Sequence, residues 1–543
     1  MSDHPLRSKV ISKHHMYMMN SPKSAVAIVA LASLLSITNL ALSATLHRGT
    51  NSEPRSLDPH RAVGNSAAVI LYDLFTGLMT LDAAGAITAG VAESYAVSAD
   101  GLTYTFTLRP GIVWSDDTPL TAEDFVYSFR RLLKPDTAAR FASQLFPIVN
   151  AQSVNRGAAE PTALGVTALD ERTLVVKLNQ PTAYLPQLMA SNAASPVPRH
   201  VIETEGRGWT RPGIMVSNGA YVLAEQVPAT LIRAVKNTAF YDAVNVSIDA
   251  VVFYPTENQG TSLNRFRAGE LDVVLNFPAD QIDRIRSTMP NSLHITPALG
   301  VYYLAPNTRA PPFNDARVRR ALALAIDRDA IVARLLPPGT AAATNIVPPI
   351  TDGYNGTATD YAAIPLKARI TEAHELLASA GFDPSNPLTF AFKTDPIEQN
   401  RRIAVALTSM WKAIGVVVET DTTGASDVNR DGRTGNFEMI RWTWFGPYND
   451  AATFLGLFET TNGANVSGYS NPTFDAKLRQ ANAAQEPSTR RTLLAEAEAI
   501  LNQEQPVIPL YFHAGRRLVN PVVQGWIDNA RSANLTRYLS LDR

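Results

Sequence analysis

Apolar and polar positions along this chain switch repeatedly between a period of two and a period near 3.6. That is the pattern of strands interleaved with helices. Tyr104, Phe106 and Leu108 alternate with threonines, as in a half-buried strand. Pro110-Gly111 then turns the chain and Trp114 follows. Thr121 stands three residues ahead of Asp124, a capping-box spacing, and opens a predicted helix with Phe125 and Phe129 among its apolar positions. Further strands are predicted over Thr173–Leu178, after the Asn218-Gly219-Ala220-Tyr221 turn, and at Val251–Tyr254. Phe266 to Val274 reads as a helix end, a glycine stop at Gly269 and a strand.

Tyr302-Tyr303-Leu304 opens a second stretch of the same kind. A helix with Val318, Leu322, Ala325 and Ile326 on one face and Arg317, Arg319 and Arg320 on the other follows, capped by Asn314 or Asp315. Helices are also expected over Thr371–Ala380, stopped by Gly381, and over Ser488–Asn502, capped by Ser488. Strand-like pieces around Val507–Tyr511 and Val519–Val523 complete the chain. There is no internal repeat and no low-complexity linker. The expected class is α/β with interleaved domains.

At 543 residues the chain exceeds one core, so two or three domains are expected. Its 48 Lys plus Arg against 49 Asp plus Glu give no support to a nucleic-acid or anionic-membrane surface. Cysteine is absent, which removes disulfides, thiolate metal sites and a cysteine nucleophile. Lys23 precedes an apolar run from Ala25 to Leu42, and small residues follow at Ala41, Ser43 and Ala44. This order reads as a secretory signal over residues 1–43, cleaved after Ser43, with Met16, Met18 and Met19 as alternative starts. The alternative is an uncleaved membrane anchor, which Ser36 and Asn39 interrupt.

Six segments occur in the order found in the oligopeptide-binding proteins of bacterial ABC importers, extracellular solute-binding family 5, which the chain resembles after residue 43. They are Ser56-Leu57-Asp58-Pro59, Trp114-Ser115-Asp116, Asn218-Gly219-Ala220-Tyr221, Pro312 through Arg319, Leu376 through Gly381, and Pro506 through Tyr511. The resemblance implies a type II-like periplasmic-binding-protein fold of two lobes and three interleaved domains, with a ligand cleft between the lobes. Residues 44–75, 199–300 and 513–543 would form the first domain, 76–198 the second and 301–512 the third. It also implies a monomer in the periplasm, a membrane permease as partner, and no cofactor. A lipid anchor would need a cysteine that the chain lacks.

In that family an extended ligand lies between the lobes and pairs with protein strands. The matching segments are Arg441-Trp442-Thr443-Trp444-Phe445 and, opposite, Val63-Gly64-Asn65. Arg441 matches an arginine near the ligand carboxylate, where a guanidinium fork suits two oxygens; the alternative is an exposed strand arginine. Trp442 and Trp444 are assigned to opposite sides of the strand, one to the core and one to the cleft.

Departures from the family pattern bear on the cargo. Pro447 takes the place of the aspartate that holds the ligand ammonium, and Asp450, three residues on, is a candidate replacement. Phe141 replaces a ligand-contacting tyrosine and Asn400 a histidine. Gly300 and Phe445 replace a cysteine pair, since a phenyl ring there needs a glycine-sized gap. The candidate contacts are therefore Asn65, Phe141, Asn400, Arg441, Thr443, Trp444, Phe445 and Asp450. The expected cargo is an oligopeptide; an opine, a sugar–amino-acid conjugate or an N-blocked peptide is the alternative.

One motif competes. Asp427 through Glu438 fits the twelve-position calcium-loop pattern, but its flanks read as strands, so a polar loop without metal is expected. None of the nine histidines forms a close metal pair in the mature part. His374-Glu375 lacks a second histidine, Ser66 lacks a nucleophile elbow, and no phosphate-binding glycine loop occurs. A secreted hydrolase is the remaining alternative, with no catalytic residues assigned.

Overall fold

A computed structural model describes residues 44–543, so the expected signal segment 1–43 lies outside the described residues. The opening pattern folds as its chemistry dictates. Thr103–Leu108 is a strand whose Tyr104, Phe106 and Leu108 point inward, in a four-stranded sheet with Ala92–Val97, Thr173–Lys177 and Val166–Ala168. Thr121 and Asp124 form the capping box of the helix Ala122–Leu133, which buries Phe125 and Phe129. Trp114 is wholly buried.

The Ser56–His60 segment is fastened to that helix. Arg131 donates to both oxygens of Asp58, at 2.6 and 3.1 Å, and to Nδ1 of His60 at 2.7 Å. Burial pushes the Asp58 carboxyl up, but the bond and charge of Arg131 and the bond from the His60 amide outweigh it and hold it below its usual range. Burial, aided by the Arg131 charge, lowers His60 to about 4, so the ring stays neutral and can accept.

An eleven-stranded sheet runs through the molecule in the order Val417–Thr422, Thr389–Thr394, Met439–Phe445, Leu293–Pro306, Ile508–Val519, Val273–Val274, Thr45–Thr50, Ala250–Pro255, Leu231–Lys236 and Tyr221–Val227, with Ala341–Ala342 also pairing to Ile508–Val519. Buried apolar residues from Leu46 to Ile285 and from Leu518 to Leu539 form two core clusters. Those from Leu299 to Phe512 form two others. The strands Leu293–Pro306 and Ile508–Val519 pair with each other and pass from one core group to the other, with a register shift between Pro297 and Val301. The expected boundaries 300/301 and 512/513 fall inside these strands. Among the described residues no helix is long and apolar enough to cross a membrane.

Several expectations need correction. The predicted helix 371–380 is Leu366–Ser379, and 488–502 is Pro487–Glu504 with Glu486 rather than Ser488 at the cap position. Proline at the first helical position suits its missing N–H and fixed φ. Asp315 does cap the helix Ala316–Leu324, but Arg319, expected on its polar face, is buried. Its guanidinium donates to the carbonyls of Phe313, Glu504 and Gln505, closing the end of the Pro487–Glu504 helix. The expected piece around Val507–Tyr511 is the start of a longer strand, Ile508–Val519, whose half-buried middle (His513 to Arg516) lacks an alternating signal. The piece expected over Val519–Val523 is a turn between Val519 and the short strand Val523–Gln524.

Asp58→Ala strands the Arg131 charge, so a loss of about 3 kcal/mol is expected for a broken buried pair. A urea midpoint shifted accordingly, at unchanged slope, checks it.

Candidate functional site

The strand Met439–Phe445 is paired on one edge along its whole length, from Met439 opposite Pro306 to Phe445 opposite Gly300. On its other edge Thr389–Thr394 pairs only at Met439 and Ile440. Beyond Ile440 no second strand covers that edge among the described residues, which leaves backbone donors and acceptors for an added chain. Trp442 and Trp444 both pack against the same core cluster, together with their cross-strand partners Tyr303 and Val301. Residues i and i+2 of a strand share a face, so the assignment of these rings to opposite sides is wrong. Gly432 makes room for Trp442: a Cβ there would lie 2.4 Å from the indole. Arg441, Thr443 and Phe445 occupy the other face.

Arg441 and Asn400 are brought together by a residue that sequence reasoning missed. Asp395 is wholly buried and accepts from Arg441 Nη2, from Asn400 Nδ2 at 2.9 Å and from the Ile397 amide at 3.0 Å. Its only signal in the sequence is an aspartate before Pro396 at a strand end, an ordinary turn pattern. Arg441 Nε has no acceptor, nor does Tyr302 Oη have a partner. Tyr302 stacks on Tyr511 at 4.9 Å, and Gln399 donates to Tyr511 Oη at 3.1 Å.

The glycine-for-cysteine reasoning matches the geometry. A Cβ on Gly300 would lie 2.5 Å from the Phe445 ring, which also rests on His513 with centroids 4.7 Å apart. Phe445 is nonetheless 57% exposed. His513 Nε2 is buried without a partner, and burial lowers its pKa to about 4.

Asp450 holds Arg490 bidentately, at 2.7 and 2.8 Å, and accepts from the Ala452 amide at 2.8 Å. Beside it Tyr448 stacks on Tyr184 at 4.9 Å, and Gln187 donates to the Asn449 carbonyl at 3.4 Å. Asn65 is exposed at the start of the helix Asn65–Leu74, after Gly64 at φ 88°. Phe141 is 38% exposed before the short helix Ala142–Leu145. No hydrogen bond or ring contact among the described residues joins Asn65 or Phe141 to the Arg441 group.

The calcium-like motif is not a loop. Residues Ala425–Thr434 are helical, so Asp427, Asn429 and Asp431 point in directions about 200° apart in turn. Asp427 and Asp431 hold Arg430, and Lys393 Nζ sits 2.7 Å from Asp431 and 3.2 Å from Asp421. Among the described residues no group of three His, Cys, Asp or Glu could hold a metal.

Two outcomes are expected. His60 and His513 stay neutral in the fold down to about pH 4, whereas the unfolded chain takes up protons near 6.5. Stability present above 6.5 is therefore lost as pH falls toward 4. His513→Leu should lose roughly 2 kcal/mol less than the parent between pH 7 and 4.5, read from urea midpoints. Gly300→Ala should cost roughly 1–2 kcal/mol by overpacking, and combining it with Phe445→Ala should recover most of that, a coupling visible in a double-mutant cycle.

Comparison with known proteins agrees with this geometry. The profile of "Bacterial extracellular solute-binding proteins, family 5 Middle" matches residues 86–466. The probable deoxycholate-binding periplasmic protein YgiS of Escherichia coli K12 is 38% identical, over 90% of this chain and 92% of its own. The periplasmic murein peptide-binding protein MppA of the same strain is 35% identical, over 95% and 96%. The unliganded open form of MppA superposes with a TM-score of 0.83 at 35% identity, covering 92% and 98% of the two chains. Haemophilus influenzae OppA in complex with RPPGFSPFR gives 0.76 at 31%, covering 92% and 99%. The chain belongs to the bacterial extracellular solute-binding proteins of family 5.

Proposed function

We propose that this protein is the periplasmic binding component of an ABC importer, which grips an extended oligopeptide between two lobes and hands it to a membrane permease. The observation that carries this reading is the uncovered edge of Arg441–Phe445. A peptide backbone laid along it gains main-chain hydrogen bonds whatever its side chains are, so one site serves many sequences. The relatives' names support a peptide, and the superposition on an open form supports a cleft standing apart before ligand arrives. Two surface cavities, of about 520 Å³ beside His47 and Asp272 and about 380 Å³ beside Lys393 and Glu438, include no residue of Arg441–Phe445 in their lining.

The lobes in this reading are residues 44–300 with 513–543, divided at 76–198 into two domains, and residues 301–512. Separate core clusters on either side of about residues 300 and 512 support the division into lobes, with the two crossing strands as the hinge, while one cluster spans both domains of the first lobe. Contacts made by both lobes stabilise the closed state, and that differential affinity drives closure. Residues 1–43 would direct export and be removed, leaving a monomer free in the periplasm without a lipid anchor. The role is carriage rather than catalysis: Ser66, the one serine weighed as a nucleophile, pairs with Ser52. A second reading keeps the scaffold and changes the cargo to a blocked peptide, an opine or a sugar conjugate. Pro447 favours it, because no carboxylate stands where an ammonium would be held.

Titrating residues 44–543 with short peptides should release heat and reduce the radius of gyration in solution scattering. Methylating the ligand amides that face the strand should weaken binding at least tenfold. Equal binding of methylated and plain peptides would remove the strand-addition mechanism.

A further inference from the structure

We infer that Asp395 sets the charge of the cargo: by neutralising Arg441 from inside the protein, it makes the cleft prefer a ligand that presents an uncharged carbonyl, as in a peptide amide, ester or lactam, over one with a free carboxylate. The inference rests on the peptide-binding reading above and narrows it.

The argument starts from what each ion already touches. Asp395 has no solvent exposure, and three donors fix it: Arg441, Asn400 and the Ile397 amide. Two of those donors, Arg441 and Asn400, are the candidate contacts nearest a ligand's carboxyl end. A carboxylate arriving at Arg441 would meet the attraction of one guanidinium and, from behind it, the repulsion of one buried carboxylate, which offsets part of that attraction. It would also surrender its hydration. A neutral carbonyl accepts from the part of the guanidinium that remains exposed, 15% of the side chain's surface, without adding a second negative charge.

The other ion of the candidate set is spent in the same way. Asp450 is held by both terminal nitrogens of Arg490 and by the Ala452 amide, so it offers no free partner to an ammonium. The remaining candidates, Asn65, Phe141, Asn400, Thr443, Trp444 and Phe445, carry no charge. Next to Phe445, His513 stays neutral because it is buried. Both ionic residues of the candidate set are compensated internally, which suits a guest whose two ends are capped or joined in a ring.

The test uses one peptide sequence in four forms: free at both ends, N-acetylated, C-amidated, and capped at both ends. Calorimetry on residues 44–543 should show the C-amide at least tenfold tighter than the acid with the same N-terminus. In Asp395→Asn the side-chain oxygen can still accept from Asn400 and Ile397, but the negative charge is gone. There the acid should gain at least tenfold relative to the amide. Acid binding as tight as amide in the parent protein would overturn this inference while leaving peptide binding intact. If none of the four binds, the reading beneath it fails instead. Should Asp395→Asn not fold, the ratio in the parent protein alone decides.

Discussion

The backbone pairing of Leu293–Pro306 is the constraint from which the rest of the structure follows. This strand lies between Ile508–Val519 and Met439–Phe445, so its amides and carbonyls are satisfied on both sides as it passes between the two groups of cores. Its outer neighbour, Met439–Phe445, is satisfied on one side only after Ile440. A strand so anchored cannot slip without turning Arg441, Thr443 and Phe445 to the other face, because a shift of one residue inverts every side chain. The tight Gly300–Phe445 contact and the seating of Trp442 over Gly432 hold that register from both faces. The result is a rigid shelf with an open edge, which is what strand addition requires.

Electrostatics around that shelf follow from burial. Charges taken out of water are tolerated where a partner and further hydrogen bonds are supplied. Asp395 with Arg441, Asp450 with Arg490, and Asp58 with Arg131 all meet this condition. The first two lie among the candidate contacts and the third fastens the N-terminal segment to the helix Ala122–Leu133. The same rule that stabilises the fold therefore decides how much unspent charge the cleft can offer a guest. A strand edge flanked by neutralised ions and by the exposed Phe445 suits affinity drawn from backbone hydrogen bonds and apolar contact.

Much of the fold is legible in the sequence because local rules decide it. The alternation at Tyr104–Leu108, the Thr121–Asp124 capping box, the Asp315 cap and the Gly269 stop each involve neighbours within a few residues, and each folds as expected. The Gly300–Phe445 contact is legible for a different reason: a resemblance places two distant residues opposite each other, and volume does the rest. What sequence alone does not reveal is long-range. Arg319 looks like a surface arginine until the carbonyl end of a helix some 185 residues away takes it up. Asp395 looks like a turn residue until Arg441 arrives from 46 residues on. The helix Ala425–Thr434 looks like a polar loop because its acidic and glycine residues suit either, and only packing beneath Trp442 distinguishes them.

Placing the neutralising acid on the far side of Arg441 rather than in the ligand has a consequence for closure. In a cleft whose arginine waits unpaired, much of the closing energy comes from the guest's own charge, and selectivity follows it. Here the guanidinium is oriented beforehand by Asp395, with Asn400 bracing the carboxylate, so little reorganisation is left for ligand binding. Closure would then draw on contacts spread along the strand edge and over exposed apolar surface such as Phe445. Interactions of that kind are individually weak and sum with ligand length, so a charged end adds little to them. A pre-neutralised arginine thus fits a carrier that selects by backbone and shape.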